Sequence, residues 1–355
     1  MRLNPLTVRK LKRFREIRRG YYSAILLAVL TVLSLGAELL VSDRAVAVRY
    51  DGEWYFPTYA DVKLGAEFGL TGTAAVTPVD YRALAERFAG TDDRVIMPLV
   101  PWGPQANDAV DGVLRARAPD FEREHYLGTD STGRDILARL VYGFRTAILF
   151  AAAFTVLTYA IGISIGCAMG YFGGVFDLLF QRLIEIWSNI PFLYMVIIVF
   201  SVIPSTFEIS TRIGILLLIM VLFSWTGLTY YMRTETYREK ARDYTAAALV
   251  LGASTARVIF RHILPNTIAT MITFVPFTVV SAITAITALD FLGWGLPPPT
   301  PSIGELLKQG TANLTTAPWI VTSAFAVLVF VLAVVTFIGE AVREAFDPKK
   351  FTYYR

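Results

Sequence analysis

The chain has 355 residues, of which 55% are hydrophobic and only 17% are charged, and its formal net charge is +4. Soluble domains carry about 25% charged residues, so this composition excludes a wholly soluble protein and places part of the chain in lipid. One cysteine, Cys167, excludes an intrachain disulfide, and two histidines far apart in sequence predict no metal site.

Six apolar stretches are long enough to cross a bilayer, for which a helix needs roughly 20 mainly apolar residues. The sequence predicts spans at 21–40, 147–169, 186–203, 213–231, 268–289 and 319–338. The first ends in Glu38-Leu39-Leu40, which offers no small-residue cleavage site and favours a span over a signal peptide. Pro191 and Pro276 fall inside two spans, where a packing kink is the simplest interpretation.

Basic residues predict the orientation of the spans. An arm over residues 1–20 holds eight Lys or Arg against one acid, and the tail over 341–355 holds Arg343, Lys349, Lys350 and Arg355. Positive flanks stay in the cytoplasm, so both termini are predicted inside. A basic arm directly before a span is typical of a topology and anionic-lipid signal rather than of nucleic-acid binding.

This orientation places residues 41–138 outside the cytoplasm, as a cap segment, and residues 232–266 inside as a loop. Turn-rich stretches such as "DGEWYFP" and "PWGPQ" break the cap segment, and no regular element is predicted in it.

The cytoplasmic loop contains "DYTAAALVLGASTARVIFRHILPN", residues 243–266. It predicts two short helices, broken at Gly252 and stopped at Pro265, with Ser254 as an N-cap. Tyr244, Ala247, Ala248 and Leu251 recur at helical spacing and predict one apolar stripe. The apolar residues Leu249, Val250 and Leu251 suit docking into a groove on another protein, and packing on the chain's own helices is the equal alternative.

Part of this stretch, "AAALVLGASTARVIFRHILP", resembles the loop signature of ABC importer permeases, which has a Glu-Ala-Ala triplet, a glycine and a closing Leu-Pro. The resemblance implies an ATPase-coupling role for the triplet Ala246, Ala247 and Ala248, for Gly252, and for His262, Leu264 and Pro265. The acid of the triplet is replaced here by Ala246, so a salt bridge from that position is not expected.

Further stretches are similar to the dipeptide and oligopeptide branch of these permeases. They are "HYLGTDSTGRDILARLVYGFRTAILF", residues 125–150, at the entrance to span two, and "LDFLGWGLPPPTPSIGELLKQG", residues 289–310, in the outer loop before the last span. "RYDGEWYFP" and "GEAVREAFDPKK" resemble the second permease subunit of the Yej-type importers, which take up oligopeptides and the peptide-nucleotide antibiotic microcin C.

The same residues allow interpretations without the resemblance. "GTDSTGRD" indicates a structured helix entrance or a phosphate-cradling loop, and it lacks the Gly-Lys-Ser/Thr ending of the latter. Pro297, Pro298 and Pro299 stiffen a loop that forms either a re-entrant scoop lining the path or a surface connection, with Trp294 as an interfacial anchor. Charges close to span ends predict snorkelling or packing; they are Glu38, Arg145, Glu185 and Asp290.

Together these features predict an all-α integral membrane protein with six transmembrane helices, the type I ABC importer permease fold over 139–340, and a long extracytoplasmic loop after helix 1. The resemblance implies a permease for oligopeptides or peptide-like solutes in a bacterial inner membrane. Dipeptides, or another small solute such as nickel, are the alternative cargo.

No catalytic residue and no bound cofactor are predicted in this chain. The resemblance implies that ATP and Mg bind two ATP-binding cassette domains on partner subunits. The other implied partners are a second homologous permease forming a heterodimer, an extracytoplasmic solute-binding protein and membrane lipid, without nucleic acid. An ion-coupled transporter would need paired ionisable groups near mid-span, and an intramembrane hydrolase would need a nucleophile with a base; neither is evident in the sequence.

Overall fold

The structure is a computed structural model that describes residues 5–109, 112–204 and 206–346. Within these ranges four helices are long and apolar enough to cross a membrane, and two bent helix pairs raise the number to six if each pair forms one span. The prediction of a helical membrane protein is confirmed. The cap segment differs from the all-α prediction because it contains a small sheet.

The N-terminal arm folds as a helix of its own. Helix α1 (Pro5–Glu16) meets α2 (Arg18–Leu35) at a bend of 96°, and one further turn, α3 (Ala37–Leu40), follows Gly36. Lys10 Nζ lies 4.5 Å from the ring centroid of Phe346 near the other end of the chain. The arm therefore packs on the C-terminal helix; Arg2 and residues 347–355 of the tail lie outside the described residues.

The cap segment contains a three-stranded antiparallel sheet of order β2-β1-β3, formed by β1 (Ala47–Tyr50), β2 (Glu53–Tyr55) and β3 (Arg94–Ile96). Asp51 and Gly52 make the two-residue turn between β1 and β2 at φ values of 49° and 81°. Such a turn needs positive φ at both residues, which Asp-Gly tolerates best. The Asp-Gly pair of "DGEWYFP" is the local sequence signal for this hairpin.

The cap segment also contains a 3-10 helix over Gly65–Phe68 and two short α-helices, α4 (Thr73–Val76) and α5 (Tyr81–Phe88). Asp80 caps α5 by accepting hydrogen bonds from the backbone N–H groups of Arg82 and Ala83. Buried side chains of α5 join Val48 of the sheet in a small core of their own. The cap segment is thus a folded unit rather than an irregular loop.

The first long helix is α6 (Ile136–Phe172), and it is followed by a second bent pair, α7 (Gly174–Ser188) and α8 (Phe192–Val202). The pair bends by 74°, and the bend falls inside the span predicted over 186–203, at the proline where the sequence predicts a kink. Pro191 lies at the break, where its missing N–H and ring prevent a straight helix from passing through. The helix pair begins earlier than the predicted span, directly after Gly173.

Helix α9 (Ile209–Lys240) packs along α6 over a stripe of glycines. Gly162, Gly166 and Gly170 recur at every fourth residue of α6, so they share one face. A Cβ placed on Gly166 would lie 2.5 Å from the carbonyl oxygen of Thr229, and one on Gly170 would lie 2.6 Å from the Cβ of Thr236. Small residues of this spacing let membrane helices approach backbone to backbone.

Four helices follow α9: α10 (Asp243–Val250), α11 (Thr255–Val258), α12 (Leu264–Met271) and α13 (Val275–Leu292). The predicted stop at Pro265 is wrong, since helix continues through it. A π-helical turn over Ile259–Ile263 widens the chain just before this proline and accommodates its ring and missing N–H. Pro276 lies in the first turn of α13, where a missing N–H costs little.

The last two helices of the described residues are α14 (Ile303–Ala312) and the long helix α15 (Pro318–Phe346). Helix α14 is short and largely buried, and it contacts α13, α15 and α6. The largest apolar core joins α6, α9 and α13, with Phe154, Met220 and Ile283 among its buried side chains.

Candidate functional site

The predicted coupling residues lie where α10 ends. Residues 246–250 belong to α10, Leu251 caps it, and Gly252 follows with φ of +78°. The N–H of Ala253 donates to Ala248 O and that of Gly252 donates to Leu249 O, both at 3.0 Å. This pair of bonds is a Schellman motif, which favours glycine at the left-handed position.

We call residues 249–252 the coupling turn. Its side chains point away from the rest of the described chain: Val250 is 88% exposed, Leu251 is 86% exposed and Leu249 is 45% exposed. Nothing lies within 4 Å of a Cβ placed on Gly252, so its φ angle, and not crowding, explains the glycine. The chain therefore presents an apolar turn that its own helices leave uncovered.

The inward face of α10 differs from the predicted stripe. Thr245 and Ala248 are buried, whereas Tyr244 is partly exposed and Leu251 is almost fully exposed, so of these stripe residues only Ala248 faces the bundle. The reason is that α10 ends at Val250, and Leu251 then leaves the helical face at the cap.

Polar contacts hold α10 to α9 and α12. The Thr245 hydroxyl donates to Glu239 O at 2.8 Å, and Tyr244 donates to the Glu239 carboxylate. Asn266 Nδ2 donates to the Tyr244 hydroxyl at 2.9 Å. Burial and the hydrogen bond to Glu239 raise the pKa of Tyr244, so its hydroxyl stays a donor at neutral pH. These bonds fix the coupling turn to two membrane helices.

The remaining signature residues lie beside this contact. The backbone oxygen of His262 accepts from Asn266 Nδ2 at 2.9 Å. Leu264 packs into a core with Met232 and Val258, and Pro265 is exposed at the start of α12. Ser254 caps α11 by accepting from the N–H of Arg257, as predicted.

An ion pair that the sequence did not reveal braces the same end of the bundle. Arg233 of α9 donates to both carboxylate oxygens of Asp177 in α7, at 2.5 and 2.6 Å. Tyr237 and Gln181 donate to the same carboxylate at 3.0 and 2.9 Å. Because Asp177 lies in the first turn of α7, this pair is near a helix end, not at the mid-span position that an ion-coupled transporter would need.

The other predicted site, around Trp294 and the prolines, lies beyond the far end of α13. We call residues 293–302 the outer loop. Trp294 packs against the main core, Pro297 is buried, and Pro298 and Pro299 are exposed. Asp290 is buried and accepts a hydrogen bond from the N–H of Leu296 at 2.6 Å, so this charge holds the loop and does not snorkel.

The outer loop leads into helix α14, which packs against α13, α15 and α6; the re-entrant interpretation stays a prediction. Ser302 caps α14 by accepting from the N–H of Glu305 at 2.9 Å. A Cβ on Gly304 would lie 2.3 Å from Thr287 O of α13. Helix α14 is therefore packed tightly against α13.

Helix α14, which follows the outer loop, also forms hydrogen bonds with the motif "GTDSTGRD". Glu305 accepts from Arg134 Nη2 at 3.0 Å and from the buried Arg139. Ser131 Oγ donates to Gln309 Oε1 at 2.8 Å. The motif is thus a helix entrance and not a phosphate loop: its Asp135 caps α6 by accepting from Ala138 N at 2.7 Å.

A histidine lies inside this polar cluster. His125 is buried, stacks on Trp102 at a centroid distance of 4.1 Å, and its Nδ1 lies 2.8 Å from Asp135 Oδ2. Its Nε2 lies 3.4 Å from Asp108, which also accepts from Arg117 at 2.7 Å. Burial raises the pKa of Asp108, but Arg117 and His125 outweigh burial and hold it below its usual range.

The remaining charges near span ends also pack in pairs. Arg145 Nη1 lies 2.7 Å from Glu38, which ties α6 to α3, and Tyr142 donates to Val41 O at 3.0 Å. Glu185 pairs with the exposed Arg182. The contact of Tyr142 with Val41 anchors the start of the cap segment to α6.

The described chain is thus a helical membrane bundle with an uncovered apolar turn at one end and a folded cap segment at the other. The chain belongs to the family of binding-protein-dependent transport system inner membrane components, whose model matches residues 162–352. Members of this family are bacterial inner-membrane permeases.

Relatives extend the similarity to almost the whole chain. The chain is 41% identical to the inner membrane ABC transporter permease protein YejE of Escherichia coli K12, over 98% of this chain and 99% of that protein. It is 36% identical to the peptidoglycan transport system permease protein YejE of Agrobacterium fabrum, over 98% and 94%. It is 31% identical to the oligopeptide transport system permease protein OppC of Haemophilus influenzae, over 72% and 80%. The resemblance to peptide-type ABC permeases is confirmed.

Proposed function

We propose that the chain is one of two homologous permease subunits of an ATP-driven importer for oligopeptides or peptide-like solutes. The name of the Haemophilus influenzae relative, an oligopeptide transport system permease, supports this class of cargo. The observation that carries the coupling role is the coupling turn, whose Val250 and Leu251 are almost fully exposed on a firmly held helix.

In this proposal ATP and Mg bind two ATP-binding cassette domains on partner subunits, and the coupling turn enters a groove on one of them. Closure of the ATPase pair displaces α10. The bonds of Thr245 and Tyr244 to Glu239 pass this displacement to α9. The close packing of Gly166 on Thr229 then moves α6 with α9, which swings the bundle between its two openings.

The outer end would receive the cargo. An extracytoplasmic solute-binding protein docks on the cap segment and on the exposed Pro298 and Pro299 of the outer loop. The network of Arg134 and Arg139 with Glu305 couples that loop to α6, so a push on the loop reaches the same helix that the coupling turn moves.

Both termini are cytoplasmic in this arrangement. Single cysteines at the exposed Asp92 and Arg238 test the orientation, with the buried native Cys167 as background. Asp92→Cys should react with an impermeant maleimide in spheroplasts and Arg238→Cys should react only after lysis. The reverse pattern would overturn the orientation.

Transport tests the function itself. The tagged chain should co-purify a second permease and an ATPase, and the complex in liposomes should take up a labelled hexapeptide when ATP and the binding protein are supplied. A dipeptide and Ni²⁺ serve as competing cargo. Uptake of either one in place of the hexapeptide would contradict the proposal.

Peptidoglycan fragments are a second candidate cargo, since the Agrobacterium fabrum relative is named for their transport. The peptide stem of such a fragment is itself peptide-like, so both cargoes fit one pathway. Competition between a muropeptide and the hexapeptide for uptake distinguishes a shared pathway from exclusive use of either; microcin C stays a prediction from the resemblance.

A further inference from the structure

Two cavities adjoin on one face of the bundle. One has a volume of about 570 Å³ and the other about 310 Å³. Both are lined by Phe154 of α6, Ser224 of α9 and Ser281 of α13, each near the middle of its helix. We call the joined cavities the groove.

The groove is uncharged. Among the described residues that line either cavity, none is Asp, Glu, Lys, Arg or His. Aromatic rings form much of the wall, including Phe154, Trp187 and Phe223. Eight of the described lining residues carry a hydroxyl group: Thr158, Tyr159, Ser188, Ser224, Thr226, Tyr231, Thr278 and Ser281.

Several of these hydroxyls have no partner among the described residues. Thr158 is only 2% exposed, it lines the groove, and its Oγ1 forms no hydrogen bond. Thr155, on the same helix, bonds its Oγ1 to Ala151 O at 2.7 Å in the usual way. Ser224 and Ser281 are exposed in the groove. A buried hydroxyl without a partner is costly, so its retention points to a ligand.

The groove differs from surfaces that face lipid. Between Ile25 and Leu35 every exposed residue of α2 is apolar. Hydroxyls gathered at mid-span on three other helices are expected instead along a polar path through the membrane. This contrast places the groove on the transport side of the bundle.

We propose that the groove is this chain's half of the passage and that it binds the main chain of the peptide, with no preference for the charge of the side chains. The proposal rests on the proposed function as a peptide permease. Hydroxyls donate and accept, as the amide groups of a peptide require, and the described lining holds no fixed charge that would select a side chain by its sign. A fixed charge in such a wall would attract one sign and repel the other.

The test uses the complete transporter in liposomes and three hexapeptides that differ only in a central Lys, Gln or Glu. Binding-protein affinity for each is measured separately, and uptake is compared at saturating peptide. The wild type should transport all three at maximal rates within about threefold of each other. A tenfold or larger difference would overturn the proposal while leaving the permease function standing, and no uptake of any peptide would overturn both.

Charge-reversing variants make the groove assignment specific. Ser281→Asp should slow the Glu peptide at least tenfold relative to the Lys peptide, Ser281→Lys should invert that ratio, and Ser281→Asn should leave it near one. Misfolding lowers all three rates together and does not change a ratio. If Ser281→Asp abolishes all uptake, Ser224→Asp on the facing helix supplies the same ratio. Ratios near one in every charged variant with activity would show that the peptide passes elsewhere.

Discussion

The carbonyl oxygen of Thr229 occupies the position that a side chain on Gly166 would need, since a Cβ there would lie 2.5 Å from it. Met232 closes the same space, with its Cβ at 2.7 Å from that position. Helices α6 and α9 therefore touch through their backbones, and a lever that transmits motion from the coupling turn requires such a rigid pair. No flexible side chain at this contact can give way to a larger residue.

Gly166→Leu should separate the two helices. Overpacking of a tight core costs about 1–3 kcal/mol, and more where only backbone can move. We expect a lower melting temperature in detergent and a weaker response of ATP hydrolysis to peptide. Gly214→Ala on α9 is the control, because nothing lies within 4 Å of a Cβ there. Equal melting temperatures in both variants would contradict the rigid pair.

Arg139 is the second test, since its side chain is fully buried between Asp130 and Glu305. Arg139→Gln leaves the buried Asp130 without part of its compensation, and breaking a buried ion pair in this way costs about 3–5 kcal/mol. Scanning fluorimetry of the purified protein should show a clear loss of stability.

The matched change is Arg182→Gln, which removes an exposed pair with Glu185 worth about 0–1 kcal/mol. Stability of Arg139→Gln within the scatter of this control would show that α14 does not depend on the network.

The apolar spans can be predicted from sequence because lipid demands a long apolar run, and α15 contains such a run from Trp319 to Ile338. The coupling turn was readable because a Schellman motif is local: Gly252 and the residues before it suffice. The Asp51-Gly52 hairpin is equally local, since its turn depends on the positive φ of these two residues. The glycine stripe of α6 could likewise have been recognised from its spacing of four.

Other features depend on which helices become neighbours. Asp177 and Arg233 are 56 residues apart in sequence, and only the packing of α7 on α9 brings them together. The ion pair of Glu305 with Arg134, 171 residues away, likewise forms only because α14 packs beside the start of α6. The helix continues through Pro265 because of a π-helical turn, which the amino-acid composition does not predict. Local sequence patterns do not show which distant residues become neighbours in the fold.

Acid should loosen the cap segment through Asp108. Its pKa in the folded protein lies below the ordinary value of 3.8, so the unfolded cap binds the proton more readily. Its stabilising contribution is therefore complete well above pH 3.8 and is lost as the pH falls below that value. Limited proteolysis of the cap in spheroplasts, from pH 6 to pH 3, should show faster cleavage at the acid end.

The protease should cleave the Asp108→Asn variant faster than the wild type at pH 6, and cleavage of the variant should depend less on acid. Asp92→Asn, at an exposed site, should behave as the wild type. A pH profile identical in all three proteins would remove Asp108 from the account.

The coupling turn gives the sharpest prediction, because the chain alone does not need its side chains. Leu251 is 86% exposed, so Leu251→Asp should change the stability of the isolated permease by no more than about 0.5 kcal/mol. In a docked complex the same carboxylate would be buried without a partner, which costs several kcal/mol. Each 1.4 kcal/mol is about tenfold in affinity, so the ATPase should be lost on co-purification while the sister permease stays bound.

Gly252→Trp should act in the same direction for a different reason: it strains a residue held at φ of +78° by about 1 kcal/mol or more and adds bulk at the contact. Leu314→Asp is the matched control, an exposed leucine beyond α14 at the other end of the bundle. It should retain the ATPase. Full retention and peptide-dependent ATP hydrolysis in Leu251→Asp and Gly252→Trp would show that the ATPase is held elsewhere, because an exposed apolar turn that tolerates a charge in the assembled transporter is not buried in it.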